Sequence, residues 1–472
     1  MGRGVCRSIA WLALVAGLAG CSERADAPAP VDVPPAPLQS AVLVLLDTVR
    51  ADHCSAYGYA RPTTPALERL ARRGVLFENA ISSAPWTLPA VASLLAGEGA
   101  PRALDGERGT LRRSLVEVLH RAGIATAAFT EGGFVSRDFL LDRGFDAWVE
   151  EEGHVRRTPP GATPQPPGSG SAARTFAHAA RWLAQQGERR FFLLVHTYEP
   201  HTPYTDRRFA AELPVGRVGP SLRMGMVRDI QRGELRLEPE ELRYVEALYD
   251  GDIRAADDEL GRFLDALDAE GLSERTLVVV TSDHGEDLGD LDPQFTASHG
   301  HALKDPLVRV PLVVADPTDP RPGRRVEAQV RLVDVLPTIA ARLGAPHALE
   351  IEGRDLGPLL RGEEVEPRIA FGGDTRLGPA RQFVRTGAHK YIERSDGADA
   401  AAPEAPAREL FDLATDPREQ HDLAAEQPAL ADAFSRLLAE RRGQGPQGPS
   451  TPPLETLPQP LQERLRALGY AD

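Results

Sequence analysis

The run Ala41-Val-Leu-Val-Leu-Leu46, closed by Asp47-Thr48, decides the fold. Its apolar residues follow one another without polar alternation. That is the pattern of a strand buried on both faces, as in a parallel sheet covered by helices. Working outward, Val75-Leu-Phe77, Thr126–Phe129, Phe191–Val195, Thr276–Val280 and Val310–Val314 read as further strands. Between them lie helical patterns: Thr64–Arg73 stopped by Gly74, Leu111–Ala122 stopped by Gly123, Arg174–Gln186, and Pro239–Glu270 with proline in its first turn. Glu151–Ala172 is crowded with Pro, Gly and Ser and reads as a loop. Alternating strands and helices imply a layered α/β domain with a mostly parallel sheet, and such sheets gather their functional groups at the carboxyl ends of strands.

Composition narrows the function classes. The chain has 472 residues, 42% hydrophobic and 26% charged, which excludes a largely disordered protein. Its formal charge is −15, and no Lys/Arg block offsets it, so no nucleic-acid partner is expected. The three cysteines, Cys6, Cys21 and Cys54, are too few for a disulfide scaffold and lack CxxC spacing.

Residues 1–20 read as a lipoprotein signal peptide. Arg3 and Arg7 precede the apolar stretch Ile9–Leu18, which ends in Leu18-Ala-Gly-Cys21. Cys21 is then the lipidated first residue of the mature chain. Ser22 after it, in place of Asp, points to the outer membrane of a bacterial cell envelope, facing the periplasm or the cell surface. Residues 21–40 carry five prolines and read as an extended tether.

The chemistry-bearing residues follow strands. Asp47 closes the first strand and reads either as a metal ligand or as a cap. Asp283-His-Gly-Glu286 follows Val278-Val-Val280, and a carboxylate beside an imidazole can grip a divalent cation. Gly285 is expected to allow a sharp turn there, and Glu286 and Asp287 read as solvated charge. His196 ends another strand. His201 is bracketed by Pro200 and Pro203, and His299-Gly-His301 offers two imidazoles for an anionic oxygen or a leaving group. Thr87, in Pro85-Trp-Thr-Leu-Pro89, falls at the start of a helix. The positive end of the helix dipole favours an alkoxide there, although an N-cap role is the plainer reading.

Taken together these segments resemble the sulfatase family of the alkaline phosphatase superfamily. The resemblance is carried by Leu46-Asp-Thr-Val-Arg-Ala-Asp-His53 with Tyr57-Gly-Tyr59, and by Thr64–Leu70 through Phe77–Ala80. Arg143–Asp146, Pro200–Tyr204, Thr281–Glu286, His299–His301, Glu352-Gly-Arg354 and Glu409–Glu419 extend it to nearly all of 41–425. It implies a three-layer α/β/α sandwich over residues 41–345 and a small antiparallel subdomain over 346–472. It also implies one divalent ion (Ca, Mn, Mg or Zn) on Asp47, Thr87, Asp283 and His284, with an anionic ester as substrate. Thr87 would be the nucleophile, and His201 and His299 would act on the substrate with His301 or Lys304 in support.

The departures from the family pattern are informative. Thr87-Leu-Pro-Ala-Val91 stands where the family has Cys- or Ser-x-Pro-x-Arg, so no formylglycine aldehyde is expected. Thr48 replaces an Asp, His284 replaces Asn, and Lys304 stands where Tyr is common. In the segment Gly97–Gly106 after the nucleophile helix only Arg102 is cationic. The expectation is a metal-dependent hydrolase of sulfate or phosphate esters. A phospho-headgroup transferase of the cell envelope and a non-catalytic binding lipoprotein are the alternatives.

Overall fold

The computed structural model describes residues 38–151, 171–319, 321–345, 347–366, 368–395, 407–443, 452 and 454–467. The segment read as a signal peptide, Cys21 and the expected tether as far as residue 37 lie outside them. Leu38 is already buried and the first strand starts at Ser40, so the folded part reaches further back than the tether reading allowed.

The central sheet contains β1 (Ser40–Leu46), β2 (Val75–Ile81), β5 (Ala125–Thr130), β6 (Ala147–Glu150) and β7 (Phe191–Thr197). It continues with β8 (Thr276–Thr281), β9 (Arg309–Ala315), β10 (Arg324–Val326) and β11 (Val330–Arg331). A two-residue hairpin, β3 (Leu104–Asp105) with β4 (Thr110–Leu111), stands apart from it. The strand order is β10-β2-β9-β8-β1-β7-β5-β6, with β11 beside β2. Every pair is parallel except β9, which runs against both β8 and β2.

The β1 sequence explains its central place. Leu43 and Leu45 face one apolar core, with Leu88, Val91 and Leu95 of helix Thr87–Ala96. Val42, Val44 and Leu46 face the other, with Tyr244, Val245 and Leu248 of helix Pro239–Ala269. Alternate residues therefore serve two helical layers, and no polar face remains.

Several expected boundaries shift. Pro239–Ala269 is one helix of 31 residues, with Pro239 in its first turn and a Glu238/Glu241 capping box. The helix expected at Leu111 begins only at Val116, because Leu111 is used in the small hairpin. Among the described residues no helix is long and apolar enough to cross a membrane.

A second, antiparallel sheet has the order β12-β13-β14-β15: Ala370–Gly373, Arg381–Arg385, His389–Arg394 and Arg408–Asp412. Gly373 N–H donates to the Ser83 carbonyl at 3.0 Å, and a Cβ on Gly372 would meet that same oxygen at 2.4 Å. Glycine at these positions lets the second sheet lie directly against the segment leading to Thr87.

Candidate active site

Register delivers the first ligand candidates. β1 lies between β7 and β8, all parallel, with Leu45 opposite both His196 and Thr281. Asp47, His196 and Asp283 thus emerge side by side at the carboxyl ends of three neighbouring strands. Each offers a ligand atom, all within 4.8 Å of one another, and all three residues are buried. Thr87 arrives from a fourth direction, as the first residue of helix Thr87–Ala96.

The hydroxyl of Thr87 lies 3.2 Å from His284 Nε2 and 3.5 Å from Asp47 Oδ2. His284 Nδ1 donates to the Gly285 carbonyl at 2.8 Å, which leaves Nε2 as an acceptor facing the cluster. From that nitrogen Asp283 Oδ2 is 3.5 Å away and Asp47 Oδ1 3.8 Å. A tetrahedral ion with bonds of roughly 2.0–2.1 Å needs ligands about 3.3 Å apart, so these spacings fit one. Asp47 Oδ1 and Asp283 Oδ2 are buried and lack a hydrogen-bond partner, as ligand oxygens awaiting a cation would be. Burial and the neighbouring Asp283 carboxylate push the Asp47 carboxyl well above its usual range. A divalent ion between the two would remove that penalty.

His196 was not assigned to the metal set from sequence. Its Nε2 is 3.1 Å from Asp47 Oδ2, and burial holds its pKa below the usual histidine value. The neutral ring either donates to Asp47 or ligates beside it. Thr48, where the family pattern has Asp, takes a left-handed φ of 60° and turns its hydroxyl to the Asp47 and Pro200 carbonyls. It is not a ligand.

The histidines beyond the cluster are held by the two acids read as solvated charge, and that reading is corrected: Glu286 and Asp287 are fully buried. Glu286 Oε1 accepts from His299 Nδ1 at 3.0 Å, and Glu286 Oε2 accepts from the Tyr204 hydroxyl at 2.9 Å. Asp287 Oδ2 lies 3.0 Å from His301 Nε2, and the His301 ring stacks on Phe295 at 4.1 Å. The His299 ring centre is 4.4 Å from that of His284 and 5.2 Å from that of His201. His201 Nδ1 donates to the Thr202 carbonyl at 2.7 Å. Burial first, and then the neighbouring His284 and His201, hold the His299 pKa well below the usual value, so its ring is neutral.

Two expectations do not fit their intended roles. Lys304 donates to the Glu419 carbonyl at 2.9 Å and lies over the Phe411 ring, so its ammonium is engaged with the C-terminal region instead of the cluster. Gly285 needs no unusual turn. A Cβ there would strike the Pro306 carbonyl at 1.9 Å, so the requirement is close backbone approach. Cys54 is buried, and burial raises its thiol pKa well above the ordinary value, which suits a core residue and not a nucleophile.

A buried hydroxyl among carboxylates and imidazoles, at the carboxyl ends of a parallel sheet, defines an α/β ester hydrolase. The sulfatase family model matches residues 39–345, and the chain belongs to the sulfatase family. Steryl-sulfatase of Mus musculus is 29% identical over 445 residues, covering 76% of this chain and 70% of that protein. The multifunctional alkaline phosphatase superfamily protein PehA of Trinickia caryophylli is 26% identical over 401 residues, covering 68% and 77%. Among solved structures, the phosphonate monoester hydrolase of Agrobacterium radiobacter superimposes with a TM-score of 0.69 at 24% identity, covering 86% of this chain and 96% of that one. At that identity the likeness bears on fold alone.

Proposed function

We propose that the protein is a metal-dependent hydrolase of sulfate or phosphate esters with Thr87 as its nucleophile. The observation that carries this is the Thr87 hydroxyl at a helix N-terminus, 3.2 Å from His284 Nε2 and beside the partnerless oxygens of Asp47 and Asp283. Asp47, Asp283, His284 and Thr87 would hold one divalent cation. When bound, the cation supplies Lewis-acid charge that favours the deprotonated hydroxyl and the substrate's anionic oxygens.

The chain's own residues then do the following. Thr87 Oγ1 bonds to sulfur or phosphorus as the bond to the leaving oxygen breaks. The hydroxyl proton leaves to water, and the leaving oxygen takes a proton from solvent on the His201–His299 side. Water then attacks the threonine ester, which releases sulfate or phosphate and restores Thr87. The helix dipole favours the developing negative charge on Thr87 throughout.

The test is turnover of a panel of aryl sulfate, phosphate monoester, phosphate diester and phosphonate esters, with Mn²⁺, Zn²⁺, Mg²⁺ or Ca²⁺ added back after chelation. Thr87→Ala should lower kcat by roughly 10³ or more, while Thr87→Ser keeps measurable activity. Unchanged turnover in Thr87→Ala would refute the nucleophile. Transfer to an added alcohol in preference to water would favour the transferase reading.

We also propose lipidation at Cys21 and residence in a bacterial outer membrane, supported by the Leu18–Cys21 sequence and Ser22. Cys21→Ala should move the protein from the detergent phase to the aqueous phase on Triton X-114 partition. Equal partition would overturn the anchor.

A further inference from the structure

Arg376 lies in the loop between β12 and β13, and that loop is tied to both segments that carry the chemistry. The indole N–H of Trp86, the residue before Thr87, donates to the Asp374 carbonyl at 2.7 Å. The backbone N–H groups of Arg376 and Leu377 both donate to the Gly300 carbonyl, at 2.7 and 3.0 Å, between His299 and His301. Gly300 has a φ of +83°, and a Cβ there would lie 3.3 Å from the Arg376 Cβ. The Arg376 guanidinium is 5.7 Å from the Trp86 ring centre and 5.6 Å from that of Phe134, within cation–π range of both. The two rings meet edge to face at 5.1 Å, which makes a rigid shelf beneath the charge.

Other cations suggested by sequence are directed elsewhere. Arg102, after the nucleophile helix, lines a surface cleft with Glu98, Arg113 and Glu352. Lys304 is engaged with Glu419. The acidic chain offers no general field to attract an anion, so a substrate-binding cation has to be local.

We propose that Arg376 is a specificity-determining residue that binds the anionic oxygens of the ester's sulfo or phosphoryl group. The second sheet thus supplies part of the substrate site. The inference rests on reading Thr87 as the reacting group. A guanidinium suits the task because its planar fork can bridge two oxygens of one anion, which an ammonium cannot.

The experiment uses the full chain, with inorganic sulfate and inorganic phosphate as probes, measured by calorimetry on wild type, Arg376→Gln and Arg376→Lys. Arg376→Gln should weaken the binding of at least one anion by about ten- to hundredfold, and Arg376→Lys should restore part of it. KM for an ester that turns over should rise by a similar factor, with kcat changed less than about threefold. Metal content and melting temperature should stay at wild-type values. Equal anion affinity in wild type and Arg376→Gln overturns the proposal, as does a wild type that binds neither anion. So does an affinity loss that tracks a lowered melting temperature and is not relieved by lysine. If wild type hydrolyses no ester yet binds phosphate or sulfate through Arg376, the hydrolase reading fails and the assignment of Arg376 stands.

Discussion

Glu286 Oε1 and His299 Nδ1 are 3.0 Å apart, and both side chains are buried. The contact fixes the orientation of the His299 ring beside the cluster. Glu286→Leu removes this acceptor and also the one used by Tyr204. We expect kcat to fall by roughly ten- to hundredfold, with Glu286→Gln intermediate because its amide oxygen can still accept from His299. Steady-state kinetics on whichever ester the panel identifies would show this. Equal kcat in all three proteins would leave His299 without a role in turnover.

The partnerless oxygens of Asp47 and Asp283 make metal loss a stability event. Two buried carboxylates within 4.8 Å repel one another unless a cation or a proton intervenes. At a hundredfold excess over Kd, a bound ion contributes about 2.7 kcal/mol. Chelation should therefore lower the melting temperature by a few degrees, and add-back should restore it. Asp283→Asn should abolish the difference between chelated and loaded protein. Scanning calorimetry with elemental analysis decides the matter, and a melting curve indifferent to chelator, with no retained metal, would exclude this site.

Asp257, remote from the cluster, should give a separate pH signature. It sits on helix Pro239–Ala269 and accepts backbone N–H bonds from Ala66 and Leu67 at 2.7 and 2.9 Å. Burial nevertheless pushes its carboxyl up to about 7 from an ordinary value of 3.8. The folded state thus holds a proton that the unfolded chain releases. Its contribution is complete below the unfolded value and is lost as pH rises through about 7. Asp257→Asn should remove a slope on the order of 2–4 kcal/mol between about pH 4 and pH 7, measured by urea unfolding. Parallel stability curves for variant and wild type would contradict the assignment.

Lys390 joins the second sheet to the catalytic segments. Its ammonium is fully buried, 2.9 Å from Asp305 Oδ1 and 3.0 Å from Glu419 Oε1. Arg385 also reaches Asp305, at 2.8 Å. Lys390→Met leaves Glu419 without its cation and weakens the hold on Asp305. We expect a loss of about 3–5 kcal/mol in urea unfolding, the usual consequence of breaking one side of a buried pair. A loss under about 1 kcal/mol would show that Arg385 alone neutralises the site.

Much of this architecture was legible before the structure because its signals are local. The apolar run of β1 marks a strand covered on both faces, and Asp47, Asp283 and His284 stand where such strands end. Thr87-Leu-Pro89 marks a helix start. What escaped depends on lateral contacts that no window of sequence contains. His196 matters because the register of β7 on β1 sets it beside Asp47. Glu286 and Asp287 look like surface acids until the loop carrying His299 and His301 folds over them. Arg376 lies some three hundred residues beyond Thr87 in sequence, and only the docking of a separate sheet brings it near.

The contacts of Gly372, Gly373 and Asp374 with Ser83 and Trp86 bear on where this chain could be cut. The stretch matched by the family model, residues 39–345, holds every proposed metal ligand and the proposed nucleophile. A fragment trimmed to that stretch would still expose the underside of the segment before Thr87, strip the indole of Trp86 of its acceptor, and take from Lys304 the Glu419 carbonyl to which it donates. On the proposed assignment of Thr87 and Arg376, catalytic competence would depend on both sheets together. Grafting a foreign loop between β12 and β13 would then be a direct way to alter which anions the enzyme accepts without touching a single ligand.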